Sequence, residues 1–196
     1  MVSDPNRLIP QLEFLSVADS LKLVERGNRL ADGSRRENSA EHSWHVCLMA
    51  MVLVEHCDLQ VDLARVIQML IVHDLVEVYA GDTLLYDDRA MSDKELREEL
   101  AANRLYDQLP ADQAANLQAL WREFEAGTTE DSQYARAVDA FAPTWLHWGR
   151  QQEPKPENLA ASTILDRKRP TLQSCPSLLA EIEGIVADAQ KRGLIR

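Results

Sequence analysis

The stretch DLARVIQMLIVHDLVEVYAG, residues 62–81, decides how the chain is read. Leu63, Val66, Ile67, Leu70 and Ile71 recur at three- and four-residue intervals, which puts their side chains on one face of an α-helix. The spacing predicts a helix from about Asp62 to the vicinity of Tyr79 and Gly81. His73 and Asp74 stand late in it, directly after the core-type run Val66, Ile67, Met69, Leu70, Ile71 and Val72. An ionised aspartate behind such a run is expensive unless a cation accompanies it.

Outward from this segment the helical period persists, and no sustained period-two alternation is present. A first helical region is expected over about residues 6–27, with breaks near Pro10 or Ser16, followed by a polar loop, Ala31 to Asn38, around Gly33. Asn38 and Glu41 have the spacing of a capping box, opening a second helix that reaches about Cys57. After a loop containing Tyr86, Asp87 and Asp88, Ser92 and Glu95 have the same spacing and predict a helix to about Leu109. Pro110 opens the next, which stops at Gly127. A helix from about Glu130 to Trp148 is expected to be interrupted at Pro143. The segment GRQQEPKPEN, residues 149–158, reads as a long connection. Two short helices follow, the last running from Pro176 to just before Gly193. The fold class is therefore all-α, a bundle of about seven or eight helices.

Length and composition narrow the function. A chain of 196 residues, 45% hydrophobic with 7 Gly and 8 Pro, suits one folded unit with a core of its own. Its longest apolar stretch, Val46 to Val54, is too short to span a bilayer. The N-terminal MVSDPNRLIP has no basic segment followed by an apolar one, so neither secretion nor membrane insertion is expected. Three cysteines, Cys47, Cys57 and Cys175, with no C-x-x-C, speak against a disulfide framework or zinc ribbon and for a reducing cytoplasm. Cys47 reads as core. The formal charge of −11, from 32 acidic and 21 basic residues, disfavours a nucleic-acid polymer as partner. Lys22, Arg26, Arg29, Arg35 and Arg36 form a local knot of cations suited to one small anion.

The residues that could carry chemistry lie on three separate helices. His42 is in the first turn of the second helix, His73 and Asp74 are late in the third, and Asp139 lies in RAVDAFAP. Two imidazoles and two carboxylates suit one divalent ion such as Mn, Co, Fe, Ni or Zn, and Mg less comfortably. Pro143 lacks an N–H and so frees the carbonyl of Asp139 four residues earlier. Glu77, four residues after His73, is expected on the same helical face. Asp82 follows the helix-ending Gly81. Both are candidate acid–base groups beside the ion.

The ordered set His42, His73–Asp74, Asp139 resembles the H…HD…D signature of the HD-domain metal-dependent phosphohydrolases. The strings SRRENSAEHSWH and HDLVEVYAGDT, with RAVDAFAP, are similar to the branch of bacterial 5′-nucleotidases that act on deoxynucleoside monophosphates. The resemblance covers about residues 10–150. Residues 1–150 are accordingly expected to form the HD domain, and residues 151–196 a C-terminal helical extension packed on it. The resemblance implies that His42, His73, Asp74 and Asp139 bind one divalent metal and that Glu77 and Asp82 are catalytic. Arg26 lies near the branch's phosphate-binding arginine, with Arg35 or Arg36 as helpers or rivals. It also implies a small nucleotide substrate and a homodimer. One departure stands out: relatives place a tryptophan after that arginine, where it favours deoxyribose, and this chain has Gly27.

Two other classes share the fold. HD-type oxygenases with two irons need further ligands between the core motifs, for which His45 and His56 are the spare histidines. A non-catalytic metal-holding interaction module would have no use for Glu77 and Asp82.

Overall fold

Helices carry most of the chain in the computed structural model, which describes residues 5–83, 86–150 and 159–196. In chain order they are α1 (Pro5–Asp19), α2 (Ser39–Leu53), α3 (Leu63–Val72), α4 (Glu77–Ala80), α5 (Asp88–Met91), α6 (Lys94–Tyr106), α7 (Ala111–Ala126), α8 (Glu130–Thr144), α9 (Ala161–Leu172) and α10 (Pro176–Lys191). α4 and α5 are single turns; the other eight are the bundle anticipated from periodicity.

α3 lies at the centre, packed against α2, α7 and α8. Its Val66, Met69 and Leu70 are fully buried, as are Tyr134, Ala135, Ala137 and Val138 of α8. Tyr134 donates its hydroxyl to the carbonyl of Ala50 at 2.8 Å, tying α8 to α2. α9 and α10 pack on each other and on α8, and Ile164, Leu172, Ile182 and Val186 extend the same core. Cys47 is buried, and Cys57 and Cys175 are free thiols whose sulfurs lie 3.2 Å apart.

Residues 25–38 depart from the expected helix and loop. α1 ends at Asp19, a 3₁₀ turn covers Ser20–Leu23, and the chain then forms an antiparallel hairpin of β1 (Glu25–Arg29) and β2 (Arg36–Asn38). Glu25 pairs with Asn38 and Arg29 with Arg36. Gly33, at φ +73°, makes the turn in a conformation other residues rarely adopt. Asp32 accepts the backbone and hydroxyl hydrogens of Ser34 there.

Other boundaries differ locally. The Asn38–Glu41 capping box is present. The expected Ser92–Glu95 box is not: Ser92 donates to the carbonyl of Arg89 at 2.7 Å, and α6 starts at Lys94. α3 stops at Val72, so His73 to Val76 form a tight turn rather than continuing the helix. α7 runs from Ala111 to Ala126, and Gly127 caps it at φ +60° as the sequence suggested. Pro143 does not interrupt α8; the helix passes through it and widens into a π-helical turn at Trp145–Arg150. α9 has 12 residues, and α10 runs from Pro176 to Lys191, ending before Gly193 as the sequence suggested. The connection expected at 149–158 lies, from 151 onward, outside the described residues.

Candidate metal centre

Three elements converge on one point. α2 begins at its capping box, which places His42 in the first turn with only 1% of its surface exposed. His73 and Asp74 occupy the turn that follows α3, and Asp139 comes from α8. His42 Nε2 is 2.9 Å from Asp139 Oδ1, and His73 Nε2 is 3.8 Å from the same oxygen. One donor atom from each of His42, His73 and Asp139 lies within 4.8 Å of the others. Asp74 borders this trio, with Oδ1 3.2 Å from His73 Nε2 and Oδ2 4.0 Å from His42 Nε2.

The orientation of His73 is held from outside the cluster. Its Nδ1 lies 2.8 Å from the carbonyl of Leu70, an acceptor only, so Nδ1 carries the proton. Its Nε2 is buried and has no hydrogen-bond partner among the described residues. Burial opposes charge on this ring, but Asp74 and Asp139 outweigh it and push the imidazole up to about 9. Burial likewise works against the Asp139 carboxylate, yet His42 and His73 hold it well below the usual range. The pocket therefore attracts positive charge. An orphaned imidazole nitrogen facing two carboxylates, with nitrogen and oxygen donors only, fits a borderline divalent cation.

Asp74 is also answered by protein. Arg26, on β1, donates from a terminal guanidinium nitrogen to Asp74 Oδ2 at 2.6 Å. The cost of burying Asp74, which the sequence alone assigned to a metal, is thus met in part by an arginine from the hairpin. Burial opposes the charge on Arg26, and Asp74, Glu77, Asp139 and Asp82 more than restore it, raising its pKa. Arg35 and Arg36 are not brought in. Arg35 forms an exposed pair with Glu41, at 2.8 Å to Oε2, and Arg36 is exposed with a guanidinium nitrogen 3.4 Å from the carbonyl of Arg26.

Glu77 stands at the start of α4, one tight turn beyond His73 rather than on the same helix, and is 6% exposed. Ser39 donates its hydroxyl to Glu77 Oε2 at 2.6 Å. Burial pushes this carboxyl up to about 8, with Asp74 and Asp82 adding and Arg26 and Ser39 opposing. Gly81, at φ +73°, ends α4 and turns the chain so that Asp82 accepts the backbone N–H of Gly27 at 3.2 Å. The hairpin therefore closes one side of the centre.

Two buried residues of the hairpin and helix start were not singled out from sequence. Ser39 binds Glu77, and Glu37 stands behind Arg26 and His42. Both sit inside SRRENSAEHSWH, the string that carried the resemblance, but neither is a metal-ligand or nucleophile type in a recognisable spacing. His45 and His56 line a separate apolar groove with Leu48, Val52 and Trp145 and do not join the cluster.

A helical body holding two histidines and two aspartates in this order defines a class, and comparison with known proteins agrees. The HD-domain family profile matches residues 18–178, and the chain belongs to that family. It is similar to a predicted metal-dependent phosphohydrolase from Magnetospirillum magnetotacticum MS-1, whose crystal structure is 40% identical and superposes with a TM-score of 0.85 over 96% of this chain and 98% of that one. It is also similar to the 5′-deoxynucleotidase HDDC2 of Homo sapiens, 30% identical over 129 residues. The match takes in 65% of this chain and 62% of the human protein, less than two thirds of that relative's length. The HDDC2 protein of Dictyostelium discoideum is 25% identical over 149 residues, 73% of this chain and 78% of that one. A protein from Pyrococcus horikoshii OT3, 18% identical with a TM-score of 0.64 over 89% of this chain and 99% of that one, shares the fold.

Proposed function

We propose that the protein is a metal-dependent phosphomonoesterase that hydrolyses nucleoside 5′-monophosphates, deoxynucleotides among them, to nucleoside and phosphate. The observation that carries this reading is the convergence of His42, His73 and Asp139 beside Asp74, with Arg26, Glu77 and Asp82 around them. The names of the HDDC2 relatives and of the Magnetospirillum neighbour support it.

The family and that neighbour imply a divalent metal; His42, His73, Asp74 and Asp139 would hold it. A divalent cation there supplies charge that polarises a phosphoryl oxygen and acidifies water. The remaining work falls to the chain. Arg26 neutralises the phosphate dianion, turning from Asp74 or bridging it. Glu77, whose carboxyl is poised near neutrality, orients the attacking water and accepts its proton. Asp82, anchored to the hairpin backbone, delivers a proton to the leaving ribose oxygen. Such transfer depends mainly on positioning and charge stabilisation. With Gly27 beside Arg26 in place of an aromatic wall, selection between ribose and deoxyribose is weak.

We also read the protein as a homodimer of the cytoplasm. Trp44, Leu48, Met51 and Val52 form an exposed apolar stripe along α2, the kind of surface a second copy covers. No helix among the described residues is long and apolar enough to cross a membrane.

The test is a panel of ribo- and deoxyribonucleoside monophosphates assayed with Co²⁺, Mn²⁺ and Mg²⁺, counting released phosphate. Release from 5′-monophosphates with at least one metal is expected. Inactivity with every metal would refute the reading, and oxygen consumption with iron would replace it by the oxygenase class. Light scattering tests the dimer.

A further inference from the structure

Glu37 takes no part in the steps above, yet it is one of the most enclosed charges among the described residues. It lies in β2 and is 3% exposed, and its Oε2 has no hydrogen-bond partner among the described residues. That oxygen is 3.6 Å from His42 Nδ1 and 3.9 Å from Arg26 Nε, itself a buried donor with no hydrogen-bond partner among the described residues. A carboxylate buried so deeply is costly unless it serves its neighbours.

The two histidines show what it serves. His73 turns Nδ1 to the Leu70 carbonyl at 2.8 Å and Nε2 towards Asp139 at 3.8 Å. His42 has the same layout, with Glu37 where His73 has a carbonyl: Nδ1 faces Glu37, and Nε2 lies 2.9 Å from Asp139. A neutral imidazole has one proton and one lone pair to share between two carboxylates. With the proton on Nδ1, facing Glu37, the Nε2 lone pair is directed to the point where His73 Nε2 and Asp139 also meet. Without a cation, Nε2–H can donate to Asp139 at 2.9 Å; a cation held between those two atoms needs the Nε2 lone pair, and the one proton then belongs on Nδ1, facing Glu37.

We infer that Glu37 is a positioning residue that receives the Nδ1 proton of His42, fixing the tautomer that presents Nε2 to the metal, while the same oxygen braces Arg26 from its Nε side. A carboxylate in this place also makes the imidazole a stronger donor than a backbone carbonyl would. One oxygen thereby links the residue proposed to hold the phosphate to a residue proposed to hold the metal. The inference rests on the reading of His42 as a metal ligand.

The experiment titrates Mn²⁺ alone, by calorimetry, into the metal-stripped full chain carrying E37Q, E37A or H42A, beside wild type, with circular dichroism as the check on folding. E37A is expected to weaken Mn²⁺ binding about 10- to 100-fold, the usual loss when such a support is removed. E37Q keeps an acceptor but not the charge and is expected to lose less, still measurably, and H42A to lose more than either. If E37A does not fold, E37Q carries the test. Wild-type affinity in the Glu37 variants, with binding lost in H42A, overturns the role of Glu37 and leaves the ligand assignment standing. Wild-type affinity in H42A overturns the ligand assignment itself. A raised KM for nucleotide in the Glu37 variants at unchanged Mn²⁺ affinity assigns Glu37 to Arg26 alone and also overturns the inference.

Discussion

Removing one hydroxyl, in Ser39→Ala, tests whether Glu77 is the base. Ser39 is fully buried and donates to Glu77 Oε2 at 2.6 Å. Burial has already pushed Glu77 up to about 8, and Ser39 is one of the groups that pull it back. A hydrogen bond to a charged group contributes about 1.5–3 kcal/mol, and the neutral acid keeps part of it. A difference of about 1.4 kcal/mol between the two forms corresponds to about one pK unit. The sign follows from the charge: the bond favours the carboxylate, so its loss raises the pKa and leaves less base at neutral pH. The acid limb of the kcat/KM profile should move up by about one unit, with activity near pH 7 falling up to tenfold and recovering at high pH. The assay is kcat/KM on one nucleoside monophosphate with saturating Mn²⁺ across both limbs, with Ser39→Thr as the variant that restores the hydroxyl. A superimposable profile would refute the reasoning. So would a loss equal at every pH, which would make Ser39 a packing residue only.

Asp74→Asn is expected to lose both Mn²⁺ binding and activity while keeping its helical circular dichroism, because the amide removes the charge but keeps the shape; full activity would dismiss Asp74 as a ligand. Glu77→Ala should retain the metal in calorimetry and lose turnover by about 10² or more, as for a missing acid–base group. Arg26→Ala should weaken substrate binding by about 1.5–3 kcal/mol, read as KM, with Arg35→Ala and Arg36→Ala close to wild type, since those side chains lie outside the cluster. Tyr134→Phe, which removes the hydroxyl's bond to the Ala50 carbonyl in the core, should lower stability by about 0.5–1.5 kcal/mol in urea unfolding without changing KM.

The helices that bring His42, His73 and Asp139 together were legible because each presents a continuous apolar face to the core. The hairpin was not. Its strands read as loop because Asn28 and Glu37, both polar, are the residues they bury, so no hydrophobic alternation marks them. The turn after α3 was hidden for the opposite reason. Val76 is 1% exposed, so apolar residues continue through the turn and the helical pattern appears unbroken. The second capping box failed because Ser92 turns back to the Arg89 carbonyl, a bond that spacing alone does not exclude. Of the three candidate arginines, sequence could not choose, because the hairpin register that carries Arg26 inward and leaves Arg36 outside is set by tertiary pairing.

Asp82 is fastened to position 27 through the peptide N–H, not through a side chain. Residue 27 lies in β1, in the stretch between Glu25 and Arg29 where the pairing with β2 is irregular. Replacement there by any residue but proline keeps the donor that holds Asp82. The contact to Asp82 therefore places no demand of its own on which side chain stands at 27. Under the proposed function, a changed side chain at 27 would alter the contact to the sugar while the tether of Asp82 stays in place.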